Sequence, residues 1–263
     1  MELAQLRRAA AEIESVLRLQ THPIAVRMLG DEKEIPAGAK RPLRDLGHHL
    51  STCQALAMSR RQGTAIAQLM EDMWCVEPVI GFGMAEAPEF FLEGNNRYPD
   101  SARTPEAGRR WARAFPMLRV GEFVGILSAP ATAADFEPHM VIIYCNPAQL
   151  TQLLFVKNWM DGVDVETRLS GHAACVYAVV PTIQTGGWQV TSPCRGDRTR
   201  ALARDDEMIV TIPAADLLEV AEGLLEAQKE RHGLPLPLTM KPDYDLPPAY
   251  VTIGRMMGMD WVR

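Results

Sequence analysis

The sequence lacks most of the linear signatures that announce a function. Its five cysteines form no C-x-x-C pair, so the usual pattern of zinc ribbons, ferredoxin-type clusters and thioredoxin-like redox sites is missing. Neither G-x-G-x-x-G, G-x-x-x-x-G-K-[ST] nor G-x-S-x-G occurs, which leaves nucleotide-binding folds and hydrolase nucleophile elbows without a motif. No apolar stretch approaches the ~18 residues of a membrane span, and the longest apolar runs, around 141–145 and 173–181, have the length of strands. The opening Met-Glu-Leu-Ala-Gln-Leu-Arg-Arg is charged and amphipathic, unlike the apolar core of an export signal. A cytoplasmic protein is therefore expected, with its thiols reduced rather than paired. A formal net charge of −6 leaves no basic field for phosphates, so a nucleic-acid partner is not expected, nor is a membrane. Small molecules and other proteins are the better candidates.

What is present suits an ordinary globular core: 47% hydrophobic and 23% charged residues among 263, read as a single domain over 1–263. Leu3, Leu6, Ala10, Ile13 and Leu17 recur at helical spacing and predict a helix over 2–18. Strands are predicted at 24–29, 121–129, 140–145, 174–182, 188–192 and 208–212, and helices at 43–61, 64–74, 105–115, 147–158 and 213–232. Residues 78–105, rich in Gly, Pro and aromatics, predict an ordered loop region of the kind that lines binding sites. The fold class expected is α+β, with a mixed, largely antiparallel sheet and helices packed on it. Met140–Leu150 and Met208–Leu217 echo each other, each an apolar run leading through a proline into a helical pattern. Two related half-units are one reading of that echo, and convergent strand-to-helix turns the other. The proline-rich tail, 233–263, is expected to be extended up to a short apolar end, packed along its own domain or, in the sharper reading, forming a homodimer contact.

Thiolates are soft, strongly donating ligands, and four of them can close a zinc site or hold a four-iron cluster. Cys53, Cys75, Cys175 and Cys194 fall on or near element ends, which fits ligands brought together by folding. Buried free cysteine is common, however, and spacing alone leaves both readings open. His48 and His49 lie a helical turn before Cys53 and His172 precedes Cys175, so each is a candidate further ligand, and a histidine near a substrate can act as a general acid or base. The run Cys194-Arg195-Gly196-Asp197-Arg198 combines two guanidinium groups with a carboxylate. It reads either as an anion or substrate clamp, in which Arg195, Asp197, Arg198 and His172 would carry the chemistry, or as an ion-paired turn.

The succession Pro23-Ile24-Ala25-Val26, Cys53, Cys75, Asn146-Pro147-Ala148-Gln149, Cys175, Cys194-x-Gly196-x-Arg198 and Asp206-Glu207-Met208 leading to Ile212-Pro213 resembles the family called domain of unknown function 169. The resemblance spans roughly residues 20 to 220. It implies that Cys53, Cys75, Cys175 and Cys194 belong together, with Cys145 an ordinary strand residue, and it brings no settled activity. The expectation that follows is an iron–sulfur protein with a four-cysteine [4Fe–4S] cluster, engaged in redox or Lewis-acid chemistry on a small organic substrate or serving a redox partner protein. The alternative is a non-catalytic binding or accessory protein whose cysteines hold structural zinc or are simply buried.

Overall fold

Alternation along β1 (Ile24–Leu29) organises the fold. Ile24, Val26 and Met28 point to one side of a sheet, while Ala25 and Leu29 point to the other. In the computed structural model, which describes residues 2–229, 240, 246–259 and 261–262, β1 is joined by β2 (Ile66–Leu69), β3 (Gly125–Pro130), β4 (Met140–Cys145), β5 (Gln189–Thr191) and β6 (Met208–Pro213). They form one open six-stranded sheet in the order β2-β3-β1-β4-β6-β5, with every strand pair antiparallel. The fold is α+β.

Antiparallel sheets often leave one face wet, but here both are covered, so strands such as Met-Val-Ile-Ile-Tyr-Cys are apolar at every position. On one face, α1 (Leu3–Leu17), α6 (Pro147–Asp161) and α9 (Leu217–Lys229) pack together over Leu127, Val141, Ile143, Cys145, Val210 and Ile212. The other face carries α2 (Thr52–Gln62), α3 (Val76–Gly81), α4 (Glu89–Leu92), α5 (Pro105–Ala114), α7 (Ala174–Thr185) and α8 (Arg195–Arg200). Its core contains Met140, Ile142 and Tyr144 with Phe82, Phe91, Phe115, Val176 and Tyr177. Because neighbouring side chains on a strand face opposite ways, Tyr144 and Cys145 are buried on opposite sides of the sheet. A last helix, α10 (Pro248–Met256), lies in the C-terminal segment.

Four predictions from pattern are corrected. The apolar run 174–182 is the helix α7, not a strand: Ala174 to Val180 are all buried, and a run covered on every side shows no period that separates strand from helix. Residues 64–74 hold the edge strand β2 and a 3-10 turn, Met70–Asp72, instead of a helix; pairing with β3 outweighs the local helical pattern. The helix predicted over 43–61 begins only at Thr52. A π turn, Pro42–Leu46, ends at Gly47 in the left-handed region (φ 74°), and Ser51 then caps α2. The loop predicted over 78–105 contains α4 and most of α3. In the echoing segments, Pro147 opens α6 behind an Asn146 cap, whereas Pro213 closes β6. Of the tail, 230–239 and 241–245 lie outside the described residues, so the extended stretch expected there falls largely beyond them. The apolar end, expected to pack on its own domain or to form a dimer contact, is helical at α10 and leaves Tyr250, Met256, Met257 and Trp261 exposed.

Candidate functional site

Each of four cysteines stands at the start of a helix. Cys53 is the second residue of α2, behind a Ser51 cap whose hydroxyl accepts from the Gln54 N–H while the Gln54 side chain accepts from the Ser51 N–H. Cys75 is the N-cap of α3. Cys175 is the second residue of α7, which starts from Ala173 in the left-handed conformation (φ 49°) without a side-chain cap. Cys194 is the N-cap of α8, where Asp197 accepts from the Cys194 N–H at 3.3 Å. The four helix starts converge, and all four cysteines line one pocket of about 190 Å³ together with Thr52, Trp74, Glu77, His172, Arg195, Gly196 and Arg200. At Gly196 the absence of a side chain keeps that space open: a Cβ there would stand 3.5 Å from Cys194 Sγ and 3.9 Å from Cys53 Sγ.

Two opposing effects act on these thiols. Backbone N–H groups at helix starts favour thiolate, and Cys75 receives one from Glu77 and Cys194 from Ala174 and Asp197. Burial favours the neutral thiol and wins. It pushes Cys53 up to about 12, with the Asp197 charge adding to it, and Cys75 up to about 11, with Glu77 adding. Cys175 is raised well above the ordinary range by burial and then by the other cysteines, and Cys194 by burial and Asp197. With their pKa values raised in this way, the thiols hold their protons at neutral pH.

Two polar assemblies flank the sulfurs. Beneath Cys194, buried Asp197 accepts from the thiol at 3.1 Å and from the Tyr144 hydroxyl at 2.9 Å. The Arg60 guanidinium lies 3.9 Å from the Tyr144 ring centroid and forks onto Glu207 at 2.9 and 3.2 Å. On the other flank, Arg97 donates to Glu77 and, at 3.1 Å, to His172 Nδ1, while stacking on Trp111. Accepting at Nδ1 leaves the His172 proton on Nε2. Burial, then the Arg97 charge, lowers the His172 pKa and keeps the ring neutral. Among the described residues, no group of three or more His, Cys, Asp or Glu is arranged as the ligands of a single ion.

A family model for domain of unknown function 169, described as uncharacterised ArCR, matches residues 12–223. The chain belongs to this family. It is also similar to Uncharacterized protein MJ0308 of Methanocaldococcus jannaschii, with 21% identity over 227 residues, which is 85% of this chain and 95% of that protein. No solved structure matches.

Of the residues singled out in this DUF169 chain by sequence, the structure brings Cys53, Cys75, Cys175, Cys194, His172 and Arg195 to the one pocket. Asp197 lies under it, bonded to Cys194. Arg198 is directed elsewhere: it donates to the Arg204 carbonyl and approaches Asp205 at 3.9 Å, and it does not line the pocket, whereas Arg200 does. His48 and His49 are exposed and do not line the pocket. Cys145, with its thiol pushed up to about 12 by burial, is on the opposite face of the sheet. Sequence reasoning missed Thr52, Trp74, Glu77, Arg97 and Arg200. A signal for Thr52 and Arg200 existed in helix phase, since Thr52 adjoins Cys53 at the start of α2 and Arg200 lies one turn beyond Gly196 on α8.

Proposed function

We propose that this chain is an iron–sulfur protein in which Cys53, Cys75, Cys175 and Cys194 hold a [4Fe–4S] cluster, used for redox or Lewis-acid chemistry on a small organic molecule in the same pocket. One observation carries the reading: four cysteines from four separated segments, each at a helix start, line a single pocket. The donor set suits the group, because four thiolates are the usual complement of such a cluster, and the open space above Gly196 lies between two of the sulfurs. Backbone N–H groups directed at Cys75 and Cys194 are the hydrogen bonds that stabilise ligating sulfur and tune a cluster's potential. When bound by all four cysteines, the cluster would supply an electron; with three of them on iron, the open position would let the fourth iron polarise an oxygen of the substrate. Around it the chain's own residues have distinct tasks. Arg195 and Arg200 present positive charge at the rim. His172, held neutral and oriented by Arg97, offers an Nε2–H donor, and Trp74, oriented by a 3.1 Å bond to Gln54, closes one wall.

The test is the composition of protein purified without oxygen. About four iron and four sulfide per chain, with broad visible absorbance, is the expected result, and serine at any one of Cys53, Cys75, Cys175 or Cys194 should diminish both while serine at Cys145 leaves them unchanged. Colourless protein carrying about one zinc, or no metal at all, would replace this reading by a structural-zinc or buried-thiol protein.

A further inference from the structure

The cysteine pocket has a second set of unspent groups on its α2 and α8 walls. Thr52, 1% exposed, lines the pocket, and its hydroxyl has no hydrogen-bond partner among the described residues. A buried hydroxyl left unpaired costs stability, and a bound partner at the pocket would satisfy it. Thr52 is also the first residue of an eleven-residue helix. The N–H groups of Thr52 and Cys53 therefore have no acceptor within α2, at the end where the helix dipole favours negative charge. In the same lining, Arg195 makes no side-chain hydrogen bond or ion pair among the described residues, and Arg200 makes only its stacking contact, 4.6 Å from the Trp74 ring centroid. The remaining charged residue of the lining, Glu77, is already paired to Arg97. The unspent charge is positive, and the residues that carry it line the pocket together with Thr52 and the start of α2. Between them the walls are apolar or soft: Trp74, Pro78, Ala173 and the sulfurs.

We infer that the pocket binds a small organic carboxylate, whose oxygens take the Thr52 hydroxyl, the first N–H groups of α2 and the Arg195 and Arg200 forks, and whose carbon body lies over Trp74 and the sulfurs. A planar carboxylate suits guanidinium forks, and the apolar wall gives an organic acid an advantage over a bare inorganic anion. This deepens the reading of the cysteine pocket and rests on it only for what the bound acid would face.

Binding can be followed by Trp74 fluorescence in the full chain, with Trp74→Phe locating the signal and iron measured on the same samples. Succinate and propionate are the organic probes, inorganic phosphate the comparison. Saturable quenching by an organic acid, weakened at least tenfold by Thr52→Val and by Arg200→Gln with circular dichroism unchanged, supports the inference. Arg198→Gln should leave binding as it was. Phosphate binding without either organic acid would overturn the carboxylate assignment, and no saturable binding of any probe, or binding indifferent to Thr52→Val and Arg200→Gln, would overturn the site. The two readings fail separately, since carboxylate binding by iron-free protein removes the cluster and keeps the acid site, whereas iron-loaded protein that binds no acid does the reverse.

Discussion

Replacing Gly196 by alanine separates the pocket's role from the fold's. Gly196 has no positive φ and sits in the first turn of α8, so alanine meets no backbone strain there and gains at most about 1 kcal/mol of helix propensity over glycine. Its methyl would stand 3.5 Å from Cys194 Sγ and 3.9 Å from Cys53 Sγ, ordinary van der Waals contacts with the thiols. The chain as it stands therefore tolerates the change, and melting should hold or rise by about 2 to 4 °C. A cluster bonded to both sulfurs needs the volume the methyl takes. Iron and sulfide content of the oxygen-free variant should fall at least tenfold, which corresponds to about 1.4 kcal/mol or more of lost binding. Gly196→Ala protein that melts as expected and still carries the full complement of iron would refute the placement of the cluster. A large loss of melting temperature would refute the packing argument itself.

Thr52→Val removes a buried unpaired hydroxyl and keeps the side-chain shape, so denaturant unfolding should show it equal to the parent or up to about 1 to 3 kcal/mol more stable. Arg60→Ala leaves Glu207 as a buried carboxylate without its forked partner, and urea midpoints should report a loss of about 3 to 5 kcal/mol; Arg60→Met with Glu207→Leu should recover much of it. His139, which accepts from the Met28 N–H, has its pKa lowered by burial and then by Arg27. The unfolded chain thus takes up this proton first as pH falls below about 6.5, and stability drops until the folded-state pKa is passed. Melting followed across that window should show the drop reduced in His139→Gln.

The strands other than β2 were legible as short apolar runs bounded by turn residues, and α1 because its polar side is wet. α7 was not, since a helix buried all round carries no period. That error hid the placement of Cys175, which reads as a strand start in the sequence and is in fact the second residue of a helix. The naming of Arg198 also follows from a misread element. Taken as a turn, Cys194-Arg195-Gly196-Asp197-Arg198 makes any nearby arginine a candidate. As the start of helix α8 it puts Gly196 and Arg200 on one face and Arg198 away from both, because positions two apart do not share a face. The common pocket of the four cysteines is a tertiary fact that no spacing rule encodes, and the family resemblance was what joined them.

Asp197 offers a test of the electrostatics that needs no metal. Among the described residues its buried carboxylate meets no lysine or arginine at salt-bridge distance, and it is held by donors: the Tyr144 hydroxyl, the Cys194 N–H and the Cys194 thiol. That last bond, together with the charge, favours Cys194 as a neutral thiol. Asparagine at this position can keep an oxygen toward Tyr144 while its amide N–H faces the sulfur; the bond that the replaced oxygen accepts from the Cys194 N–H is lost, and an acceptor that favours the thiol becomes a donor that favours thiolate. Since thiolate is the nucleophile and Cys194 is only partly buried, alkylation of Cys194 by iodoacetamide at mildly alkaline pH, read by peptide mass spectrometry, should accelerate in Asp197→Asn. Cys145, on the far face of the sheet, should label no faster. Equal acceleration at Cys145 would mean general loosening of the fold, and an unchanged Cys194 rate would show that burial alone, without Asp197, holds its proton.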